Sequence, residues 1–272
     1  LTGTTAPTGG RYMVCCKSPL TGGWGDANSG GYFGSELKAA GFDAVFISGK
    51  APAPRLLWVM DGRVEIRDAA HLWGLDTIEA EAVVQKDFND PKIRVAGIGP
   101  ASERLSLISG IVNDRGRIAA RSGMGAVMGS KNLKAVAVRG HARVPVADAA
   151  GLGRLTKDFA RQIRDLPGMA QALMKHGTCG FTPALVASGA TPIKNWQLAG
   201  EQAFPAVKQV ADGDAFIRFQ IRKYGCASCP IACGGICEVS GGKYPVGEVH
   251  KPEYETIGAF GPLCLCEDLE TI

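Results

Sequence analysis

The sequence predicts an α+β fold, with a β-rich first domain followed by the beginning of a mainly α-helical domain. Up to about Gly140, short apolar or alternating runs of strand length are separated by glycines. Further along, apolar residues such as Leu155 and Phe159 recur at helical spacing. This change of pattern predicts two domains, at 1–144 and 145–272.

The elements of the first half follow in chain order. Strands are predicted for RYMVCC, DAVFISG, both halves of RLLWVMDGRVEIRD, IRVAGIG and KAVAVRG, and short helices for SELKAAG and TIEAEAVVQKDF. Asp61 and Gly62 separate the two halves of the third run, and Asp-Gly is a frequent two-residue turn of a β-hairpin.

The second half is predicted to be helical up to a dense group of cysteines. A long helical stretch is expected in ADAAGLGRLTKDFARQIRDLPGMAQALMKHG, interrupted at Pro167 and Gly168. A further helix is predicted for DAFIRFQIRKYG, which leads directly into the cysteines.

Composition limits the possible functions. The chain has 272 residues, 46% of them hydrophobic and 21% charged, which provides enough apolar material for a sizeable core. Its formal net charge of +4 comes from scattered basic residues, so we expect no nucleic-acid partner. No apolar run approaches the ~18 residues of a membrane helix, so no membrane span is expected. The chain begins at Leu1 without a methionine, and its last residues read as a rising helix, so we expect it to be part of a longer polypeptide.

The thiols indicate a reducing compartment. The chain contains 9 cysteines, an odd number that excludes complete disulfide pairing within it. Disulfide frameworks are also typical of short secreted chains. We therefore expect a cytoplasmic protein.

Four of the cysteines lie in the stretch GCASCPIACGGICE, where Cys226, Cys229 and Cys233 have the spacing C-x2-C-x3-C. A zinc ribbon has two C-x2-C pairs a dozen or more residues apart and fits this spacing poorly. A cubane iron–sulfur cluster takes three or four thiolates that converge on one small object, so the spacing favours a [4Fe–4S] cluster. The fourth ligand stays open: the candidates are Cys237, Cys264, Cys266 and a cysteine outside this sequence.

Two glycine-rich stretches, GDANSGGYFGSELK and NDRGRIAARSGMGAVMGSKNLKAVAV, predict turns with exposed backbone amides. Neither matches the P-loop pattern or a dinucleotide-binding fingerprint after a strand. Arg11, Arg117 and Arg121 lie beside glycines, and guanidinium groups donate paired hydrogen bonds to phosphates. This combination favours a polyanionic ligand over simple turns.

The order of several motifs resembles one family. LTGTTAPTGGRY, ANSGGYFGSELKAAGFDA, GIGPA, RSGMGAVMGSKNLKAVAV, the cysteine spacing and PEYETIGAFGPLC resemble, in family order, the tungsten-dependent aldehyde ferredoxin oxidoreductases. The resemblance covers nearly the whole chain. It implies a bis-pterin cofactor of tungsten, with molybdenum as the alternative metal, in the β-rich domain. It also implies a Mg²⁺ ion that bridges the pterin phosphates and a [4Fe–4S] cluster beside one pterin.

The resemblance implies roles for individual residues. Arg11 is expected between the cluster and a pterin. The residues expected to contact the pterins are Asn28, Ser29, Gly30, Arg117, Ile118, Ala120 and Arg121. The family has alanine and glycine where Ile118 and Ala120 stand here, so the shape of the pocket differs unless the contacts are made through the backbone.

A carboxylate in the PEYE motif is the candidate for proton transfer. Taken alone, the motif indicates only a glutamate at the start of a surface helix. The resemblance implies that Glu255 lies near the tungsten, with Glu253 as second choice. A carboxyl group desolvated beside a metal centre has a raised pKa and so suits proton transfer near neutral pH.

The implied function is the conversion of a small aldehyde and water to a carboxylic acid. Electrons are expected to pass through the cluster to ferredoxin or an electron-transfer subunit, and the full-length protein is expected to be a homo-oligomer. Three alternatives stay open: a related tungsten–pterin subunit acting on another substrate such as an aromatic thioester, a bis-pterin molybdenum enzyme, and a non-catalytic iron–sulfur or zinc-binding module. The molybdenum enzymes carry the cysteine motif ahead of the pterin-binding segments, whereas here it follows them.

Overall fold

A computed structural model describes all residues 1–272 and confirms the α+β class. The strands are β1 Tyr12–Lys17, β2 Trp24–Ser29, β3 Arg55–Met60, β4 Arg63–Asp68, β5 Arg94–Gly97, β6 Ile111–Asn113, β7 Arg117–Ala119, β8 Leu133–Arg139, β9 Gln220–Tyr224, β10 Gly234–Val239 and β11 Val246–His250. The α-helices are α1 Phe33–Ala39, α2 Thr77–Asp87, α3 Pro100–Glu103, α4 Met124–Ser130, α5 Ala149–Asp165, α6 Met169–His176, α7 Thr182–Ala187, α8 Val207–Val210, α9 Gly213–Ile217 and α10 Tyr254–Phe260. None of these helices combines the length and the apolar character that a membrane span requires.

The chain forms two compact units. The first contains Leu1–Lys157 together with Cys226–Cys229. The second contains Asp158–Gly225 and Pro230–Ile272. The short segment 226–229 thus belongs to the first unit, although it follows most of the second unit in sequence.

The first unit is built on a six-stranded mixed sheet with the order β4-β3-β8-β5-β6-β7. Strands β3 and β8 are parallel, and the other neighbouring pairs are antiparallel. Leu57 and Val59 of β3 pack into one hydrophobic core, and Leu56 and Trp58 pack into a second core on the opposite face. Because both faces are covered, β3 is a continuous apolar run rather than an alternating one.

A separate hairpin, β1–β2, packs against the first of these cores. Its strands are antiparallel, with Tyr12 opposite Ser29 and Lys17 opposite Trp24. Ala27 is buried in the core, and Tyr12 packs against the core. The register therefore places Arg11, which precedes β1, beside the end of β2 where the predicted pterin-contacting residues lie.

The predicted strand DAVFISG is wrong. Residues 43–49 adopt an irregular conformation, and no strand pairs with them. Val45 packs against the first core, whereas Phe46 is 96% exposed. A strand-like composition yields a strand only where a neighbour satisfies its backbone hydrogen bonds.

The predicted helix DAFIRFQIRKYG is also wrong in its second half. Helix α9 ends at Ile217, and Gln220–Tyr224 forms β9, which pairs antiparallel with β10. The apolar residues of this run fit either a helical or an alternating period, so the pattern alone was ambiguous. Pairing with GGICEV, a strand that the sequence did not predict, decides the outcome.

The second unit contains a three-stranded antiparallel sheet with the order β11-β10-β9. Helices α5 and α6 are separated at Pro167 and Gly168, as predicted, and the boundary between the two units falls within α5, after Lys157. The buried members of its hydrophobic core are Cys179, Val186, Ile193, Phe204, Val207, Val210, Ala211, Phe216 and Ile257. Short helices and loops provide this core. In sequence, strand β9 precedes the cysteine motif and strand β10 follows it.

Candidate cofactor and metal centre

Arg11 and Asn28, two residues predicted to contact a cofactor, contact each other. The Arg11 Nε donates a hydrogen bond of 2.5 Å to Asn28 Oδ1, and its Nη2 lies 3.4 Å from the Asn28 carbonyl oxygen. Both side chains are exposed. The contact orients the planar guanidinium group and leaves several of its five N–H donors available for an anionic ligand.

Gly30 lies directly against the first cysteine of the C-x2-C-x3-C motif. A β-carbon at Gly30 would lie only 2.7 Å from Cys226 Sγ and 3.5 Å from Arg11 Nη1. Real β-carbons essentially never come this close to another heavy atom, so a side chain at position 30 would force the Cys226 thiol to move. A residue almost 200 positions along the chain thus lies beside the end of β2 and beside Arg11.

The segment 226–229 is attached to the first unit by backbone contacts. The Ala227 N–H donates to the Gly31 carbonyl oxygen at 3.0 Å, and the Thr8 N–H donates to the Ser228 carbonyl oxygen at 3.2 Å. A β-carbon at Gly10 would lie 2.9 Å from the Ala227 carbonyl oxygen. The cysteine segment therefore packs on the loop that precedes β1 and on the glycines that follow β2.

Asn113 and Asp114 form hydrogen bonds to residues at and directly after the end of β2. Asn113 Oδ1 accepts hydrogen bonds from Ser29 Oγ at 2.7 Å and Tyr12 Oη at 3.0 Å, and its Nδ2 donates to the Gly30 carbonyl oxygen at 2.9 Å. Burial raises the pKa of Tyr12, so this phenol remains a donor. The buried Ser29 side chain thus points into the protein.

Asp114 connects the residues that follow β2 to strand β5. Its Oδ2 accepts from the Tyr32 N–H at 2.7 Å and from Asn113 Nδ2 at 2.8 Å, and its Oδ1 lies 3.1 Å from Arg94 Nη1. Gly31 has a φ of +93°, and a β-carbon there would lie 2.1 Å from Asp114 Oδ2. Asn113 and Asp114 were not predicted; the only signal for them was a polar pair directly after the apolar residues of β6.

The turn after this pair begins the second predicted cofactor segment. Asp114 and Arg115 both have positive φ values, 48° and 61°, in the three-residue connection between β6 and β7, where Asn113 pairs with Arg117. The Arg115 N–H donates to Glu81 Oε2 at 3.2 Å. Glu81 is buried, and burial together with the nearby Asp114 raises the pKa of its carboxyl group to about 7.

The predicted pterin-contacting residues of this segment lie on and after β7, the edge strand of the sheet. Arg117 is half-buried, whereas Ile118, Ala120 and Arg121 are exposed. The Ile118 side chain lies over Gly110, where a β-carbon would come within 2.8 Å of it. The large residue at position 118 is therefore accommodated by a glycine beside it.

The three cysteines of the motif are all half-buried. A tight turn joins the first two, with the Cys229 N–H donating to the Cys226 carbonyl oxygen at 3.1 Å. Cys226 and Cys229 belong to the first unit and Cys233 to the second. The structure gathers no group of three His, Cys, Asp or Glu side chains around a common point suited to a metal ion. The chemistry of the donors nevertheless fits an iron–sulfur cluster, which is bound by cysteine thiolates, because three partly accessible thiols lie within eight residues.

The candidates for a fourth ligand differ in their surroundings. Cys237 is buried in β10, and burial raises the pKa of its thiol. Cys264 is exposed and Cys266 is half-buried. Cys179, which the sequence did not single out, is fully buried with a pKa raised to about 11, and it donates to the His176 carbonyl oxygen.

The two carboxylates of PEYE have different environments. Glu255 is exposed in the first turn of α10, the position that the motif alone indicates. Glu253 precedes the helix and accepts a hydrogen bond from Thr178 Oγ1, which in turn accepts one from the Tyr254 N–H at 3.1 Å. Glu253 is therefore part of the hydrogen bonding that starts the helix.

Comparison with known proteins places this geometry in context. Residues 1–140 match the family model "Aldehyde ferredoxin oxidoreductase, N-terminal domain", and residues 154–272 match "Aldehyde ferredoxin oxidoreductase, domains 2 & 3". The chain is 42% identical over 272 residues to a tungsten-containing aldehyde ferredoxin oxidoreductase of Pyrococcus furiosus, and 42% identical over 273 residues to that of Thermococcus kodakarensis. All of this chain is matched in both comparisons, and it spans 44% of the length of each relative.

More distant relatives act on other compounds. An aliphatic sulfonate oxidoreductase, WOR-like subunit, of Pyrococcus furiosus is 30% identical over 270 residues, covering 92% of this chain and 42% of the relative. Among solved structures, the active site complex BamBC of benzoyl coenzyme A reductase with 1,5-dienoyl-CoA aligns with a TM-score of 0.71 and 31% identity. That alignment covers 91% of this chain and 39% of the other.

Proposed function

The chain belongs to the aldehyde ferredoxin oxidoreductase family, and from that premise we propose that it provides cofactor-binding segments of a tungsten–pterin enzyme that converts an aldehyde and water to a carboxylic acid. The observation that carries the proposal is the contact of Cys226 Sγ with Gly30 beside Arg11. In the first unit, a cysteine of the proposed cluster motif, an arginine suited to phosphate binding and the NSG segment thus lie together. A module that binds only zinc or an iron–sulfur cluster would not require the arginine and the NSG segment beside the cysteine.

The proposed pterin contacts divide into two groups. Arg11 and Asn28 present hydrogen-bonding groups on an exposed surface, and Gly30 keeps that surface open for the thiol. Ser29 acts by anchoring the strand end to Asn113, because its hydroxyl is already used there. The second group is formed by Arg117, Ile118, Ala120 and Arg121, on and directly after the edge strand β7. The Arg121 side chain is exposed and available to a phosphate-bearing ligand, whereas Nε and Nη2 of Arg117 are buried.

The proposed metal groups are a tungsten bis-pterin, with molybdenum as the alternative, a bridging Mg²⁺ ion and a [4Fe–4S] cluster held by Cys226, Cys229 and Cys233. When bound, these groups supply two-electron oxidation of the substrate and one-electron transfer to ferredoxin or a partner subunit. The protein residues bind, orient and insulate them, and Glu255 carries a proton near the substrate. The domains proposed for this chain remain 1–144 and 145–272, and the full-length protein is proposed to be a cytoplasmic homo-oligomer.

A second candidate function is favoured by the more distant comparisons. The 31% identity to the benzoyl coenzyme A reductase complex and the 30% identity to the sulfonate oxidoreductase subunit indicate that the same segments serve other substrates. The higher identity to the aldehyde enzymes, 42%, favours an aldehyde. An aromatic thioester is the alternative substrate.

Metal analysis of the full-length protein tests the proposal. We expect tungsten together with about four irons per chain, and aldehyde-dependent reduction of ferredoxin. Stoichiometric zinc without tungsten would instead indicate a non-catalytic metal module. Tungsten and iron with activity only on aromatic thioesters would select the alternative substrate.

A further inference from the structure

Lys251 is a buried cation at the end of the small sheet. Only 5% of the residue is exposed. Its N–H donates to the Gly235 carbonyl oxygen at 2.8 Å, just after the cysteine motif, and its Nζ donates to Gln220 Oε1 at 3.0 Å. The acceptor of the ammonium group is thus a neutral amide rather than a carboxylate.

The Lys251 ammonium lies close to the third cysteine of the motif. A β-carbon at Gly177 would lie 2.3 Å from the Cys233 carbonyl oxygen and 3.2 Å from Lys251 Nζ. Both atoms therefore border the same small space around Gly177, which has a φ of +76° and no side chain. Glycine at this position leaves room for both the Cys233 carbonyl oxygen and the Lys251 ammonium group.

A second lysine approaches the same place. Lys223 of β9 donates to the carbonyl oxygens of Met174 and Lys175, in the last turn of α6. Burial and the neighbouring Lys251 lower the pKa of Lys223, while Cys233 acts in the opposite direction. Lys223 thus lies within range of the charges of both Lys251 and Cys233.

The charge of Lys251 is buried beside a neutral acceptor. Burying an ammonium group costs several kcal/mol unless an opposite charge compensates it. A hydrogen bond to a neutral amide satisfies one donor but does not neutralise the charge. A thiolate bound to iron does so, and the charge around an iron–sulfur cluster is one of the factors that set its reduction potential.

We propose that Lys251, assisted by Lys223, is a tuning residue that raises the reduction potential of the cluster bound at Cys233. The inference rests on the proposed function, because it requires the cluster. Reduction adds one electron, and so one negative charge, to the cluster beside the lysine. The positive charge therefore favours the reduced state until the electron passes to ferredoxin. Lys251 contacts no substrate in this proposal.

The test is a redox titration of the full-length protein, followed by the electron paramagnetic resonance signal of the reduced cluster. Lys251→Met keeps the length of the side chain and removes its charge. We expect the ratio of reduced to oxidised cluster at a fixed solution potential to fall about tenfold, which is 59 mV for a one-electron couple. Lys251→Arg should leave the ratio close to that of the wild type, and Lys223→Met should shift it in the same direction by less.

Lys208→Met is the matched control, because Lys208 is an exposed lysine of the same unit that pairs with Glu201. An unchanged potential in a Lys251→Met protein with full iron content overturns the proposal. If Lys251→Met loses the cluster, iron retained by Lys251→Arg supports a need for charge, and iron lost from both indicates a packing role and overturns it. Absence of iron from the wild type rejects the proposed function itself, a different failure.

Discussion

The two units hold their predicted functional residues in different ways. In the first unit, Arg11, Gly30 and Cys226 come from distant parts of the chain and are fixed by hydrogen bonds and by a glycine that admits a thiol. In the second unit, Glu255 lies exposed at the start of a helix, and Cys233 lies beside a buried lysine. The fold alone can position residues that bind a ligand. The pKa of a residue that transfers a proton also depends on the burial and the charges that a bound ligand provides.

The largest effect on turnover is expected in the second unit, from a change at the exposed Glu255. Glu255→Gln in the full-length holoenzyme should lower turnover by ~10²–10⁴-fold, because general acid–base assistance is worth that much. Tungsten and iron contents should not change. Steady-state aldehyde oxidation with ferredoxin measures the effect.

Glu253→Gln is the matched control in the same motif. Its amide oxygen can still accept the hydrogen bond from Thr178, so turnover should stay near that of the wild type. If the two variants exchange effects, Glu253 is the proton-transfer residue. If neither variant slows the reaction, the proton is carried by another group and the proposed role of Glu255 is wrong.

In the first unit, Asp114→Asn should weaken the connection between the two predicted pterin segments. The carboxylate accepts from the Tyr32 N–H, Asn113 Nδ2 and Arg94 Nη1, and an amide at this position leaves at least one donor unsatisfied. Charged hydrogen bonds of this kind contribute about 1.5–3 kcal/mol, so the free energy of unfolding should fall by that amount. Denaturant titration measures it, and a change below 0.5 kcal/mol, roughly that of an ordinary surface substitution, would contradict the role.

A smaller loss is expected from Gly30→Ala, which places a methyl group 2.7 Å from Cys226 Sγ. Overpacking of this kind costs about 1–3 kcal/mol, and displacement of the thiol should also lower the iron content. Gly23→Ala is the control, because its β-carbon would meet nothing closer than 3.8 Å. Equal iron contents in both variants would show that the contact between Gly30 and Cys226 does not matter for the cluster.

The sequence was sufficient for the motifs but not for the groups that hold them. The hairpin at Asp61 and Gly62 and the continuous apolar strand β3 followed from local pattern. Asn113, Asp114 and Lys251 were missed because their importance comes from burial and from partners far along the chain, which no local period reveals. For the same reason DAVFISG resembles a strand, although no neighbouring strand pairs with it.

A pH dependence of stability is expected to originate beneath the second cofactor segment. Burial and Asp114 raise the pKa of Glu81 from the ordinary glutamate value of 4.5 to about 7, against the opposing influence of Arg94 and Arg115. Between these two pH values the folded protein binds more protons than the unfolded chain, so stability falls as the pH rises from 4.5 to about 7 and stays reduced above it. Glu81→Gln keeps an acceptor for the Arg115 N–H and removes the titration. Denaturant titrations at pH 5 and pH 8 should therefore show that the stability of the variant relative to the wild type increases by roughly 2–3 kcal/mol from pH 5 to pH 8. A stability difference that is the same at both pH values would contradict a raised pKa of Glu81 in the folded protein.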